Sequence, residues 1–398
     1  MSFGDQKTSI RAGYGIAYDT PPPGRWEDPI TANPPSVQSV TYTNTTFASI
    51  TSGTVPPPTS PPSLTAIATH YQTPYMQQWS FDIQRELPSK SFLDVGYFGS
   101  KGTHLVGEPD INQLPPGLAV ALGITTANVP LTTTTDPKVN GFRPFVGYRA
   151  INVYETWFNS NYNSLQATFK KQFANNGFLG ANYTFAKEIT DAGTNAATPQ
   201  NFYNRAGDRG FSPFDRTHVF SSFWSYELPF LKSSKGLLKA VAAEWQISGI
   251  LSVASGLPFN ASDSSLGTDP GGLGILGAGS GATPRADTIC NPNAGAPHLF
   301  TQWFNTQCLA EVPAGVVRPG NSDRNTIRGP GYQKWDWSLF KNFTFKERGQ
   351  VQFRAETFNA FNHTNWSSIG ATLGSSTYGT VTAARDARVV QFGLKLSY

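Results

Sequence analysis

The amino-acid sequence predicts an all-β, antiparallel protein, and two observations narrow the fold class further. Apolar and polar residues alternate along ten segments, and short and long connections alternate between those segments. Because a strand turns successive side chains to opposite faces, each segment has one apolar and one polar face. Transmembrane β-barrels of the outer-membrane type combine such strands with short periplasmic turns and long external loops. The sequence therefore predicts a partial barrel of about ten strands with long loops at one rim.

The ten segments define the predicted strands. They lie near residues 7–18, 77–87, 91–98, 161–173, 177–186, 216–228, 242–255, 335–345, 349–358 and 389–398. Connections after the first, third, fifth, seventh and ninth segments are long, and those after the even-numbered segments are short. We interpret 20–73, 99–160, 187–215 and 256–334 as external loops. A soluble β-sandwich has no reason to keep all its long loops at one end.

Composition agrees with strands and polar loops rather than with helices. The chain of 398 residues holds 38 Gly, 30 Pro and 13% aromatic residues, and only 14% are charged, against about 25% in an average globular protein. A net charge of +4 without any Lys/Arg-rich run makes no case for a nucleic-acid partner. No apolar run approaches the 18 residues of a membrane-spanning helix. The residues after Met1 lack the apolar core of a secretory signal, so we expect no signal peptide within this sequence.

The final segment has its apolar residues on one parity and ends the sequence on an aromatic residue. Its apolar residues Phe392, Leu394, Leu396 and Tyr398 alternate with Gln391, Gly393, Lys395 and Ser397. The pattern resembles the last strand of outer-membrane barrels, where that strand acts as the assembly signal. This resemblance implies two partners, the lipid of the outer membrane and the barrel-assembly machinery.

The short turn after the eighth strand determines a register. Both flanking strands carry their apolar residues at odd positions, so Phe345 is expected opposite Gly349; a one-residue slip would place apolar against polar residues. This register puts Ser338 opposite Glu356 and Asn342 opposite Gln352. We therefore predict a polar wall facing the barrel lumen. It consists of Asn342, Gln352, Arg354 and Glu356.

Residues that could carry chemistry are scattered. The five histidines show no metal-binding spacing, and the Gly-rich stretch 277–282 follows no strand–helix unit that would bind a dinucleotide. Arg354 and Glu356 could be an acid/base pair, but a polar lumen wall explains them more simply. The sequence thus predicts no catalytic residue, no cofactor and no metal site, and we expect the protein not to be an enzyme.

The only two cysteines, Cys290 and Cys308, lie in the longest connection. They could remain free thiols, but in an oxidising compartment a disulfide is favoured. Such a bond would contribute about 3 kcal/mol in the chain-entropy model.

Several segments resemble the Oar-like branch of the TonB-dependent receptors, of the type found in acidobacteria. These segments are residues 9–19, 96–105, 182–187, 215–218, 226–230 and 354–363. The family resemblance implies a signal peptide, an N-terminal sandwich-like domain, a plug and a 22-stranded barrel. It identifies residues 1–398 as the C-terminal part of that barrel, with the plug and the N-terminal domain absent.

The same resemblance implies energy-coupled uptake of an unknown ligand across the outer membrane of a Gram-negative bacterium. Contact with the TonB system would run only through the missing upstream plug, so we expect no transport by this chain alone. Three other functions remain open: a structural or adhesive barrel, a secreted carbohydrate-binding β-sandwich, and an outer-membrane hydrolase.

Overall fold

A computed structural model describes most of the chain. The described residues are 2–3, 7–20, 27, 29–37, 46–52, 61–123, 140–173, 176–191, 197–230, 236, 241–265, 269, 271–273, 282–313, 316–345 and 349–397. Tyr398 and the 277–281 glycines of the sequence analysis lie outside them. Within these ranges, no helix is both long and apolar enough to cross a membrane.

Within the described residues, 21 strands form one large sheet and four small ones. The large sheet has 13 strands. Its strands are β1 (Ser2–Phe3), β2 (Thr8–Tyr18), β3 (Leu64–Ile67), β4 (Tyr75–Leu87), β5 (Ser91–Gly107), β6 (Ile151–Phe173), β7 (Gly177–Thr190), β8 (Gly210–Phe211), β9 (His218–Glu227), β10 (Trp245–Ala254), β16 (Tyr332–Phe345), β17 (Gly349–Phe358) and β21 (Val389–Ser397). The main path runs β1-β2-β4-β5-β6-β7-β9-β10-β16-β17-β21, and every pair along it is antiparallel.

The remaining strands are short and belong to the long connections. They are β11 (Pro258–Phe259), β12 (Ser262–Asp263), β13 (Asp287–Thr288), β14 (Leu309–Ala310), β15 (Ile327–Arg328), β18 (Trp366–Ile369), β19 (Thr372–Leu373) and β20 (Val381–Ala384). Also found in connections are the short α-helices Phe47–Thr51 and Leu118–Ala121 and the 3-10 turns Arg205–Asp208 and Thr306–Cys308.

The prediction of an all-β antiparallel sheet is confirmed, and each predicted strand overlaps one long strand of this sheet. The predicted register of the turn after β16 is confirmed as well. Phe345 pairs with Gly349, Asn342 with Gln352, and Ser338 with Glu356.

Cross-strand pairs define two faces, because residues directly opposite each other point to the same side of a sheet. One row is polar throughout, and we call its side the polar face: Ser9, Gln84, Asp94, Thr168, Asn182, Ser221, Ser252 and Lys334. The adjacent row defines the apolar face: Ile10, Ile83, Val95, Ala167, Tyr183, Phe220, Val253 and Gln333.

The predicted boundaries of three strands were wrong. The segments predicted at 91–98, 161–173 and 177–186 correspond to the longer strands Ser91–Gly107, Ile151–Phe173 and Gly177–Thr190. Residues 99–107 and 151–160, at the two ends of the predicted 99–160 loop, are therefore strand. Alternation fails there for a physical reason. His104 has a positive φ of 58° and interrupts the β5–β6 register as a bulge, while Val153, Tyr154 and Phe158 are all buried, so no exposed face remains to give a period of two.

The predicted structureless loops 20–73 and 256–334 also contain elements. From the first, β3 pairs in parallel with the upper part of β6. From the second come five of the short strands, which pair among themselves and with strands of the connection between β17 and β21. Long-range pairing of two-residue segments leaves no local pattern that a sequence analysis could detect.

The connection between β10 and β16 and the connection between β17 and β21 together form a second folded region. We call this region the cap; it comprises residues 256–265, 282–313, 316–331 and 359–388. The cap has its own hydrophobic core. Its buried members are Ala261, Ala286, Phe304, Leu309, Ile327, Ile369, Ala371 and Val381, and Phe259, Trp303, Trp366, Leu373 and Tyr378 pack against them. At the edges of the large sheet, within the described residues, β1 pairs only with β2 and β21 only with β17.

Candidate functional site

The polar face carries a ladder of hydrogen-bonded side chains. Gln84 Nε2 donates to Asp94 Oδ2 at 3.1 Å, and Thr168 Oγ1 donates to Asn182 Oδ1 at 3.0 Å. Asn182 Nδ2 in turn donates to Ser221 Oγ on the next strand at 3.4 Å. Because these groups are only half-buried and partly paired, the face offers a solute many weak donors and acceptors rather than one charged centre.

The four residues predicted as a polar wall all lie on this face and are linked to one another or to neighbours. Gln352 Nε2 donates to Asn342 Oδ1 at 3.0 Å, and Arg354 Nε donates to Gln352 Oε1 at 2.6 Å. Glu356 Oε2 accepts from Gln391 Nε2 at 2.5 Å, and the Arg354 guanidinium lies 5.5 Å from the centre of the Phe340 ring. That this face lines a lumen stays a prediction.

The closing strand places its predicted assembly residues on the apolar face. Phe392, Leu394 and Leu396 pair with Ala355, Phe353 and Val351, and they are 73%, 76% and 68% exposed. Large apolar side chains exposed in a continuous row need a partner or an apolar solvent. The fourth predicted member, Tyr398, lies outside the described residues.

Arginines of the cap bind residues in the connection between β7 and β9. Arg285 forms a buried ion pair with Asp208 at 2.5 Å, and Arg328 pairs with Asp215, also at 2.5 Å. Arg324 donates to the backbone carbonyl of Asp191 at 2.9 Å, and burial lowers the pKa of its guanidinium. Asp191, Asp208 and Asp215 all come from the end of β7 and the connection between β7 and β9, so the ion pairs fix the cap over that part of the sheet.

Cys290 and Cys308 form a disulfide within the cap, with Cα atoms 4.6 Å apart. The bond closes a segment whose two ends also pair as β13 and β14. It holds the turn that carries Trp303 and Phe304 into the cap core.

A cavity of about 390 Å³ lies beside the last residues of β5 and the first residues of β6. Its lining includes His70, His104, Glu155, Trp157 and Arg205. Arg205 is held by Asp191 at 2.8 Å and lies 5.5 Å from the centre of the Trp157 ring. The arginine is therefore already committed to a carboxylate and an aromatic ring. In the part of the chain that the structure describes, no three His, Cys, Asp or Glu side chains converge as metal ligands.

Sequence reasoning missed the ion pairs that fix the cap. Arg285 and Asp208 are 77 positions apart, and Arg328 and Asp215 are 113 apart. The low charge content of the chain marks each isolated charge as unusual, but no spacing rule identifies its partner.

The solved structures that are similar to the chain include three proteins of low sequence identity. For the outer membrane transporter YddB from Escherichia coli, the identity is 9%, the match covers 99% of this chain and 38% of that one, and the TM-score is 0.48. For the ferric-catecholate import receptor Fiu from E. coli K12, the identity is 9%, the match covers 98% of this chain and 33% of that one, and the TM-score is 0.40. For FpvA from P. aeruginosa, bound to a heterologous pyoverdine, the identity is 11%, the match covers 100% of this chain and 31% of that one, and the TM-score is 0.42.

The chain thus spans about a third of the length of these proteins. No curated protein sequence matches it. A family model does match, over residues 2–391, and its description is the outer membrane beta barrel domain. The chain belongs to this family of outer-membrane β-barrel domains.

Proposed function

We propose that the chain is part of the wall of a TonB-dependent receptor in the outer membrane of a Gram-negative bacterium, where it serves the energy-coupled uptake of a ligand. One observation carries this proposal: a polar ladder and an exposed apolar belt occupy opposite faces of the same strands, below a folded cap. A barrel wall with a polar interior and an apolar exterior has this construction.

The family resemblance of the segments at 9–19, 96–105 and 354–363 favours the Oar-like, acidobacterial type of receptor. In that proposal the polar face lines the lumen, the cap faces outward, and the ligand is captured by the cap and the neighbouring long connections. The two open sheet edges require further strands or closure, because unpaired backbone groups in lipid cost several kcal/mol each. We therefore propose that these residues do not transport by themselves.

Uptake can be tested without knowing the ligand. The solutes of a complex growth medium are quantified after growth of the native host, of a host that lacks the gene carrying this sequence, and of the native host treated with a protonophore. We expect at least one solute to be depleted by the untreated native host alone. If the deletion changes the depletion of no solute, while the barrel is present in the native outer membrane, the protein is a structural or adhesive barrel instead.

Assembly has a separate test, since the closing strand is proposed as the segment that the barrel-assembly machinery binds. Deleting Tyr398 in the native gene should lower the outer-membrane level of the protein with little effect on the stability of molecules that do assemble. Lys395→Ala, on the polar face of the same strand, is the matched control. Unchanged outer-membrane levels after the Tyr398 deletion would contradict this role.

A further inference from the structure

The polar face changes character at the end of the sheet that holds the short turns after β4 and β6. A cavity of about 820 Å³ opens there, lined by Lys90, Phe92, Lys170, Phe178 and Phe223 together with adjacent residues of β6 and β7. This volume lies within the usual range of sites for small organic ligands, which is about 300–1,000 Å³.

Cross-strand register shows that the three phenyl rings belong to the polar face. Phe92 pairs with Lys170, Lys170 with Gly180, and Gly180 with Phe223, all in one row. Phe178 lies in the next row and pairs with Ser225. Elsewhere on this face the side chains are mostly polar, so a group of three aromatic rings here is a local exception.

The aromatic surface is open and held in place. Phe178 is 48% exposed, and its ring centre lies 6.0 Å from that of Phe223. The Phe223 ring lies directly over Gly180, where a Cβ atom would come within 2.2 Å of the ring. Gly180 is therefore required for this position of Phe223, and the site keeps an exposed apolar floor that the fold does not cover.

The rim of the floor is cationic. Lys90 and Lys170 are exposed, and neither ammonium group makes an ion pair with a carboxylate of the described residues. The row contains one nearby acid, Glu86, which is separated from Lys170 by Phe92. Lys171 lines the cavity as well, and its ammonium group lies 5.7 Å from the centre of the Phe173 ring.

We propose that this cavity is a binding site for small aromatic anions, which place a ring on Phe178 and Phe223 and a carboxylate or sulfonate at Lys170 and Lys90. Exposed apolar surface beside unpaired cations favours a ligand that has both properties in one molecule. The site does not depend on the proposed uptake, because binding is measured on the purified protein in detergent, where no uptake takes place.

Equilibrium dialysis of the native protein that carries this sequence, purified in non-ionic detergent, tests the proposal with three probes. Naphthalene-2-sulfonate has the ring and the negative charge, 2-naphthylmethylamine has the ring with a positive charge at neutral pH, and methanesulfonate has the charge without the ring. We expect naphthalene-2-sulfonate to bind with a Kd of about 0.1–1 mM. The amine should show no binding above a detergent blank, and a tenfold excess of methanesulfonate should not displace the bound probe.

Two variants and a control locate the site. Lys170→Gln should weaken the binding of naphthalene-2-sulfonate about fivefold or more, because it removes one charge-assisted contact. Gly180→Val should do the same by displacing the Phe223 ring. Lys101→Gln removes an exposed lysine of β5 far from the cavity and should bind like the unaltered chain. Heat-dependent gel mobility shows which variants are folded, and either folded variant suffices.

The proposal is overturned if the folded variants bind naphthalene-2-sulfonate as tightly as the Lys101→Gln control. It is also overturned if the naphthyl amine binds equally well, since the cations would then have no role. Equal displacement by methanesulfonate would show simple ion binding without the aromatic floor. Loss of cellular uptake with normal probe binding would count against the transport proposal alone.

Discussion

The large sheet exposes large apolar side chains, whereas the cap buries them. On the apolar face of the sheet, Phe392 and Leu394 are 73% and 76% exposed, whereas in the cap Phe304 and Ile327 are 1% and 0% exposed. The cap also buries the ion pair between Arg285 and Asp208. One chain therefore contains a region that presents apolar residues to its surroundings and another that hides them.

The difference follows from the solvent of each region. A membrane surrounds the apolar belt with hydrocarbon, so exposed phenyl and leucyl groups are stable there and backbone hydrogen bonds must close within the sheet. The cap instead buries apolar surface around a core, which is how a protein region folds in water. The four predictions below test this contrast, from the largest expected effect to the smallest.

Truncating the core of the cap should have the largest effect. Phe304→Ala should destabilise the cap by about 3–5 kcal/mol, the usual cost of removing a buried phenyl group. Amide hydrogen exchange in the cap measures the change, with exchange in β6 and β7 as an internal reference. Phe300→Ala, at a side chain that is 58% exposed, is the control and should change stability by about 0.5 kcal/mol or less. Equal effects of the two variants would mean that the cap core does not stabilise it.

Removing the disulfide should rank second. Cys290→Ala combined with Cys308→Ala should cost the cap about 3 kcal/mol, because the closed loop of the unfolded cap gains freedom. Proteolysis that proceeds through the open cap should then accelerate about 100-fold. Cleavage of the double variant at the unaltered rate would refute this expectation, and reduction of the unaltered chain with dithiothreitol provides an independent comparison.

An introduced charge should destabilise the sheet more on its apolar face than on its polar face. Leu165→Arg should cost about 2 kcal/mol in vesicles, since such a charge costs up to about 4 kcal/mol at the bilayer midplane and little near its surfaces. Thr168→Arg, on the polar face of the same strand, should be close to neutral. Urea unfolding from phosphatidylcholine vesicles gives both values. A larger loss for the Thr168 variant would reverse the assignment of the faces.

The smallest effect concerns two buried carboxylates of the cap with opposite shifts. Burial, with the like charges of Glu311 and Asp287, raises the pKa of Asp263 although Ser265 donates hydrogen bonds to it. For Asp287, burial alone would raise the pKa, but hydrogen bonds from Arg318 and the Asn321 amide lower it overall.

The two pKa shifts determine the signs of the stability changes. A raised folded pKa means that ionised Asp263 destabilises the cap above that pKa, so Asp263→Asn should stabilise it at pH 7 by about 1 kcal/mol or less. Asp287→Asn should destabilise it at pH 7. The Asp263 difference should vanish below the unfolded pKa of about 3.9, where this acid is neutral in both states. The Asp287 difference should only decrease there, because the folded carboxyl stays ionised until the pH falls through its lowered pKa. Thermal unfolding of the cap at pH 7 and pH 3 checks them, and equal signs for the two variants would contradict the assignment.

Local pattern was sufficient for the regular part of the sheet. Alternation predicted that Phe392, Leu394 and Leu396 share one face of the final strand, and the short turn after the eighth predicted strand predicted the pairing of Phe345 with Gly349. These features depend on a period of two and on a short connection, and both can be read from consecutive residues. The candidate polar wall was predictable for the same reason, since its four residues share one parity on adjacent strands.

Tertiary structure alone decided the rest. The upper part of β6 is buried on both sides by connections that approach from elsewhere, which removes the alternation used to predict a strand. The cap core joins β12 to β19 across about a hundred residues, and Arg285 meets Asp208 across 77. The aromatic cavity likewise exists because β5, β6, β7 and β9 bring three separate phenyl groups onto one face. Local sequence determines the period and the turns of a strand, but contacts between distant segments depend on how the whole chain packs.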